Sequence, residues 1–438
     1  MLNHHRIAPR CRILLASVFA LAATSLASAA TLCVQPQGHL GCQKTIGAAV
    51  AAAAPGEVIY VWPGVYKEDV TITQSVSLVA VPGTHVVIDA TGLPNGIFIN
   101  GTAAAPNAGV WNVVVSGFEV RNANFEGILV ANASNVTLTG NHVHGNDQSL
   151  DISAGACPDQ PAFETNEGDD CGEGIHLMAA DHSTVRDSEV DHNSGGILIS
   201  DESGPNQNNL ITGNSVHDNA YDCGITLASH PPATSLVPSA TVSFGVWNNT
   251  ISHNDSYHNG TQVPGAGAGV GIFAAGPGTT NTGNVVIGND LRNNGMPGFA
   301  MHNHAAPPGA PPVNLNNNVI TGNTISGNAA DTADTATAGP TGINIASQAP
   351  ITGMVISGND IGNEAIAIAF KAPAGQLNVH FNDLPRSIGI DNLGTGTVDA
   401  TENWWNCVTG PGSGRCASVS GTGIATGPWL FTPASVND

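Results

Sequence analysis

Positive charge is the scarcest commodity in this chain: 11 Lys and Arg stand against 33 Asp and Glu among 438 residues, a formal net charge of −22. A field of that sign repels nucleic acid and anionic membrane, which excludes both as expected partners. Aromatic residues make up only 5%, too few for a flat glycan-binding face paved with rings. Beyond the first 30 residues no apolar run is long enough to span a bilayer, so no membrane insertion is expected. Lys44, Lys67 and Lys371 have no catalytic context, and Gly265 to Gly269 lacks the Lys-Ser/Thr of a phosphate loop. Charged residues are only 10% in total while Gly numbers 53, which is unlike an acidic disordered tail.

What is present is repetition. Gly-Ile (once Gly-Phe) recurs at Gly127, Gly174, Gly196, Gly224, Gly271, Gly298, Gly342 and Gly389. Between most of these lies apolar-x-apolar-x-x-Asn-x-apolar-x-x-Asn, as in Val136 to Asn146 and Val285 to Asn294. A period in the twenties, with alternating strand patterns inside it, is the length of one solenoid coil. Alternation in Ile175-His176-Leu177 points Ile175 and Leu177 inward and His176 outward. Asn141, Asn214, Asn289, Asn323 and Asn359 fall in one column and predict a stacked amide ladder, interrupted once by Asp187. The intervals 127–174, 224–271 and 298–342 are too long for one coil and mark excursions, where function is usually grafted onto a rigid stack.

Residues 1–29 read as a cleavable signal: Arg6, Arg10 and Arg12, an apolar stretch from Ile13, then Ala27-Ser28-Ala29. The expected location is secreted, extracellular or periplasmic, and loss of three Arg and no acid takes the charge to about −25. Residues 30–70, with an Ala-rich helical stretch from Gln43 to Ala54, read as an N-terminal capping segment, 71–400 as the solenoid and 401–438 as a C-terminal cap. In an exported chain the close pairs Cys33/Cys42, Cys157/Cys171 and Cys407/Cys416 read as local disulfides. Cys223 is left over, with a buried inert thiol as the first reading and a reactive or differently paired one as the second.

The Pro63-Gly-Val-Tyr66 opening, the Gly-Ile-x-Leu and Asn-x-Val-x-x-Asn coils and the Trp404-Trp405-Asn406-Cys407 to Gly-Pro-Gly close resemble the pectin-lyase-like right-handed parallel β-helix superfamily. More narrowly they look like secreted parallel β-helix repeat proteins with NosD-type repeats. The resemblance implies an all-β, right-handed parallel β-helix with an N-terminal helical cap, in roughly ten to twelve coils. For function it is broad, since that superfamily holds lyases, hydrolases, epimerases, esterases and non-catalytic members.

Aligned on the repeating Gly, Glu202, His230 and His304 share one slot, with Asp201 and His302 beside it. Glu202 and His230 should then be vertical neighbours about 4.8 Å apart. With His176, and with Glu173 and Asp222 in the turns entering the strand, they form a carboxylate–imidazole patch. Such a patch suits general acid/base catalysis by Asp201, Glu202, His230, His304, Glu173 and His176. It equally suits a divalent cation, calcium or zinc, with His302 and Asp222 as candidate ligands. A second column holds His144, Asp191, His217, Tyr257 and Arg292, with His192, Asp218 and His258 one place later. His192, His217, Asp218, Tyr257, His258 and Arg292 are the candidate substrate-binding residues, and the two columns can border one groove. Gly168-Asp169-Asp170-Cys171 is similar to the paired acids of polygalacturonase-type hydrolases, but the downstream Arg-x-Lys element is missing. Two functions follow. The first is a monomeric carbohydrate-active enzyme acting on a polysaccharide by hydrolysis or cation-assisted lyase or epimerase chemistry. The second is a non-catalytic extracellular protein that binds glycan or a protein partner.

Overall fold

The structure, a computed structural model, describes residues 31–434 apart from 107, 159–171, 231–242, 275, 304–308, 334–335, 386 and 413. The signal segment, Cys171, the Gly168–Asp170 acids and His304 therefore lie outside the described residues. Each coil contributes short strands to three sheets of fourteen, ten and sixteen described strands. Every inter-coil pairing runs parallel, and the sequence winds through the sheets in turn as a right-handed parallel β-helix. Register is unbroken over long distances. Ile128 pairs with Ile175, then Ile197, Ile225, Val270 and Phe299. This is the Gly-Ile column of the sequence with one correction, since Val270 after Gly269 stands where Ile272 after Gly271 was expected and Ile272 pairs with Leu227 instead. The column's inward side chains are fully buried in one continuous core. The β-branched Ile and Val suit a pleated surface and fill it with little rotamer entropy to lose.

One helix, Ile46–Ala52, covers the first coils. Thr45 caps it, its hydroxyl accepting from Ala48 N at 3.2 Å, and Ile46, Ala49 and Val50 pack into the core. The strand Thr31–Val34 before it already pairs with Glu57–Val61. Two disulfides, Cys33–Cys42 and Cys407–Cys416, form as expected near the two ends. Cys157 is disulfide-bonded as well. Cys223 is buried and free, and burial, with Asp222 beside it, pushes its thiol far above the ordinary range. Its burial agrees with the first of the two readings of Cys223.

The bends are held by three amide ladders. One runs Asn141, Ser188, Asn214, Asn254, Asn289, Asn323, Asn359, Asn382, Asn403. A second runs Asn146, Asn193, Asn219, Asn259, Asn294, Asn328 and ends on Glu364. A third links Ser183, Asn209, Asn249, Asn284 and Asn318. At each rung the backbone N–H, and in most rungs the side-chain amide, donate to the side-chain oxygen of the next coil's rung, an Asn Oδ1 except at Ser188 and Glu364. The first ladder corrects the sequence expectation at Asp187. Ser188 is the rung there, its Oγ accepting from Asn141 N, and Asp187 sits one place earlier at φ 52°. That place is the left-handed one throughout: Gly213, His253, Gly288 and Gly322 precede rungs at φ 54–66°. The rung amides satisfy the bend, and the residue before them makes it.

Buried polar groups of this kind are costly to leave unmade. Asn254 accepts from Asn214 N and Nδ2 (3.0 and 2.9 Å) and donates to Asn289 Oδ1 and Ile211 O. Asn254→Ala is expected to cost about 2–4 kcal/mol in urea unfolding because it orphans partners on both neighbouring coils. His253→Gly, at the exposed left-handed position beside it, should cost less than about 0.5 kcal/mol or stabilise. An equal loss in both variants would contradict this division of labour.

Candidate functional site

Outward positions of the third sheet are mostly apolar or small. Leu129, Leu198, Ala228, Ala300 and Ala369 are all buried there, and Leu129, Ala131 and Met178 pack as a small separate cluster. Into this covered face one coil inserts His176, which lies between Leu129 and Leu198 in register. It points away from the helix core, as alternation requires, yet only 1% of it reaches solvent.

His176 Nδ1 lies 3.0 Å from Glu126 Oε1, and Nε2 lies 2.7 Å from Ser200 Oγ. The Ser200 hydroxyl in turn donates to Glu202 Oε2. Glu202 Oε1 is 3.2 Å from His230 Nδ1. The result is a run of five side chains, Glu126–His176–Ser200–Glu202–His230, crossing several coils, each member at most 5% exposed. The expected contact between Glu202 and His230 is therefore present. With the Ser200 hydroxyl donating to Glu202, its oxygen accepts from His176 Nε2.

Asp201 has a different place. It accepts from Ser229 Oγ (2.9 Å), His230 N (2.7 Å) and Gly245 N (2.6 Å). Its oxygens thus anchor the backbone on both sides of the 231–242 segment and set where His230 stands. Glu173 is buried beside His176, with Oε2 4.0 Å from Nδ1, and its backbone N–H donates to Glu126 Oε2 at 2.7 Å. Gly195 leaves room for this group: a Cβ there would stand 2.9 Å from Glu173 Cγ and 3.5 Å from Asp222 Oδ2. On another side, Gly204 packs against Pro106 of the 101–106 loop. That loop is tied down by the Asn132 amide, which donates to the carbonyls of Gly101, Ala104 and Ala105.

Candidate cation ligands include Glu173 and His176 of the expected patch. Donor atoms converge within 4.8 Å in Glu126–Glu173–His176, His142–His144–Asp191 and Glu189–Asp191–His217. Neither His302 nor Asp222 joins such a group among the described residues. His302 instead packs its ring 4.5 Å from Phe273. Glu126 was missed in the sequence, although it precedes Gly127 as Glu173 precedes Gly174. Ser200 carried no signal, since its slot holds Met178 and Ala228 in neighbouring coils.

The second column is in register as expected: His144, Asp191, His217, Tyr257, Arg292. It lies on the outer face of the second sheet, not the third, so the two columns occupy adjacent faces. His217 stacks on Tyr257 at 4.7 Å, and the Arg292 guanidinium lies 4.1 Å from the same ring. Arg292 is held by Asp255 at 2.6 Å. Tyr257 is thereby stacked within the column instead of being offered flat to a sugar ring. His192, Asp218 and His258 sit in the left-handed place before the second ladder, at φ 54–57°. His192 contacts Asp191 at 2.5 Å, His258 Nδ1 is 3.5 Å from Asp218, and His217 is 2.9 Å from Asp218.

His142 was also missed; its Nε2 lies 2.8 Å from Asp191 Oδ2. Burial opposes charge on Asp191, but hydrogen bonds from His142 and His192 outweigh it and hold the carboxyl at about 2. The Asp191 contact raises His142 above its ordinary value despite partial burial.

Residues 95–243 match the family described as right handed beta helix region. No curated protein matches the chain. Among solved structures, the Agl-KA catalytic domain aligns at TM-score 0.52 and 14% identity, over 86% of this chain and 63% of that one. The Dettilon tailspike protein (gp208) aligns at 0.51 and 16%, over 87% and 64%. Pectate lyase Pel9A aligns at 0.44 and 17%, over 76% and 77%. The chain spans under two thirds of the first two structures, and at these identities the likeness is one of fold.

The His142–Asp191 pair predicts a titration. His142 has its folded pKa raised, so its contribution to stability is complete below the unfolded value near 6.5 and fades as pH rises through the folded value. Asp191, held near 2, contributes above the unfolded value and loses that contribution as pH falls through about 2. In Asp191→Asn the His142 ring resonances should titrate closer to 6.5 by NMR. An unchanged titration would show that Asp191 is not the cause.

Proposed function

We propose that this right-handed β-helix protein is an exported carbohydrate-active enzyme, with Glu126–His176–Ser200–Glu202–His230 as its acid–base centre. The carrying observation is the placement of that run. Burying carboxylates and imidazoles is expensive, and the coil does not require them, since other coils fill the corresponding positions with Leu, Ala or Met. Groups kept under such a penalty mark functional sites more often than structural ones.

In this reading Glu202 and His230 are the groups that exchange a proton with the sugar, as acid or base, although both lie beneath the covered face at no more than 5% exposure. Ser200 and His176 connect them to Glu126, which takes up or returns that proton. Asp201 is a positioning residue that fixes His230 through its backbone. Alternatively, Glu126, Glu173 and His176 form a donor set suited to a divalent ion such as zinc, which would supply positive charge beside the carboxylates and take the place of the proton relay through His176 and Glu126. The open second-sheet face, with His142, His192, His217 and Arg292, offers hydrogen bonds to sugar hydroxyls along the helix. Reactions of this class are hydrolysis, or lyase or epimerase proton transfer at a sugar ring. The excess of acid argues against a bare polyuronate substrate unless cations bridge it.

The test is incubation of the full chain with pectate, alginate, glycosaminoglycans and neutral glycans, with and without chelator. Reducing ends, unsaturated-uronate absorbance and uronate epimerisation by NMR are the readouts. Turnover of one substrate is expected, falling at least about 100-fold in Glu202→Gln with the circular dichroism of the fold intact. No product from any substrate would remove the enzyme reading and favour the non-catalytic glycan binder. Product formation undiminished in Glu202→Gln would move the chemistry to another face.

A further inference from the structure

A second site stands at the far end of the helix. Beyond the last strand of the second sheet, the column of Asp290, Thr324 and Asp360, two places before the Arg292 column, continues for two more coils, Asp360 bridging to Asp383 and Asp383 to Trp404. Around it lies a cleft of about 610 Å³, lined by Asp360, Asn363, Glu364, Asp383, Ser387 and Trp404, with apolar wall from Leu384 and Pro385. That volume is in the range of small-ligand sites.

Glu364 is the telling residue. It ends the second amide ladder, its Oε1 accepting from Asn328 N and Nδ2 at 3.2 and 3.3 Å. The other oxygen, Oε2, is buried and has no hydrogen-bond partner among the described residues, in a side chain only 4% exposed. An oxygen so placed at a cleft wall is unsatisfied until something in the cleft bonds it. Burial pushes the Glu364 carboxyl up to about 7, and burial together with Asp383 raises that of Asp360. A single chelated metal ion does not fit, because these three carboxyls are not among the described groups whose donor atoms converge within 4.8 Å. Spaced polar groups beside an indole instead match a ligand with several separated hydroxyls and an apolar ring face.

We propose that this cleft binds a neutral sugar residue of a polysaccharide, with the Trp404 indole against the ring and Asp360, Asp383 and Glu364 Oε2 on its hydroxyls. Uronates are disfavoured by the two aspartates. The site is separate in sequence and coil from the Glu126–His230 run and does not rest on the enzymatic reading. It extends the carbohydrate reading by naming the substrate class.

The probes are neutral hexasaccharides of glucose, mannose, galactose and xylose, a galacturonate hexasaccharide, and calcium alone, titrated into the full chain by calorimetry and tryptophan fluorescence. One or more neutral hexasaccharides should bind, with a fluorescence change lost in Trp404→Phe. Galacturonate and calcium should not compete. Asp360→Ala, a change at an exposed position that should leave the melting temperature unaltered, should weaken binding about tenfold. Glu364→Gln keeps the ladder acceptor and should weaken it about threefold. Glu202→Gln should bind as the parent does, which separates this site from the acid–base centre. Binding by none of the neutral sugars, equal binding of galacturonate, or indifference to Asp360→Ala would each overturn the proposal.

Discussion

One constraint governs this molecule: parallel coils must stay in register to the residue. A slip of one place would turn the Ile column outward and the polar columns into the core. Two devices enforce it. Apolar stacking fills the interior, and rung amides bind successive coils along the bends where the three ladders run. Neither suffices alone, because apolar packing is non-directional and amides without a core would be solvated. Their combination lets a chain with few charges and many glycines hold a long stack.

Much of this was legible. The Gly-Ile interval gave the coil, and alternation in Ile175-His176-Leu177 gave the facing of each side chain. Glu202 and His230, 28 positions apart, proved to be vertical neighbours because register converts sequence alignment into proximity. What escaped was of a different kind. Asp187 aligned with the rung Asn by a count of residues, but the bend needs a left-handed residue followed by a donor, and Ser188 meets the second requirement. Ser200 could not be read, since its meaning comes from His176 one coil before and Glu202 two places after. The covering of the third sheet was equally hidden: outward in the repeat does not mean exposed once a loop such as 101–106 folds across.

The two outer faces divide the polar chemistry. On the second sheet, imidazoles and carboxylates mostly meet at half-exposed positions open to solvent, with Asp191 the buried exception whose histidine contacts hold its carboxyl low. On the third, fewer groups are buried deeply and linked end to end. The same residue types thus have different meanings according to the face they occupy.

The amide ladders also have a sense of direction. In each rung the donors belong to the earlier coil and the acceptor to the later one, so the aligned dipoles add along the helix axis. An interior Asn gives through both its backbone N–H and its side-chain amide, whereas a carboxylate side chain can only receive. Glu364 can stand where it does because the second ladder stops there. Past that point the coils continue with the first ladder alone, from Asn359 through Asn382 to Asn403.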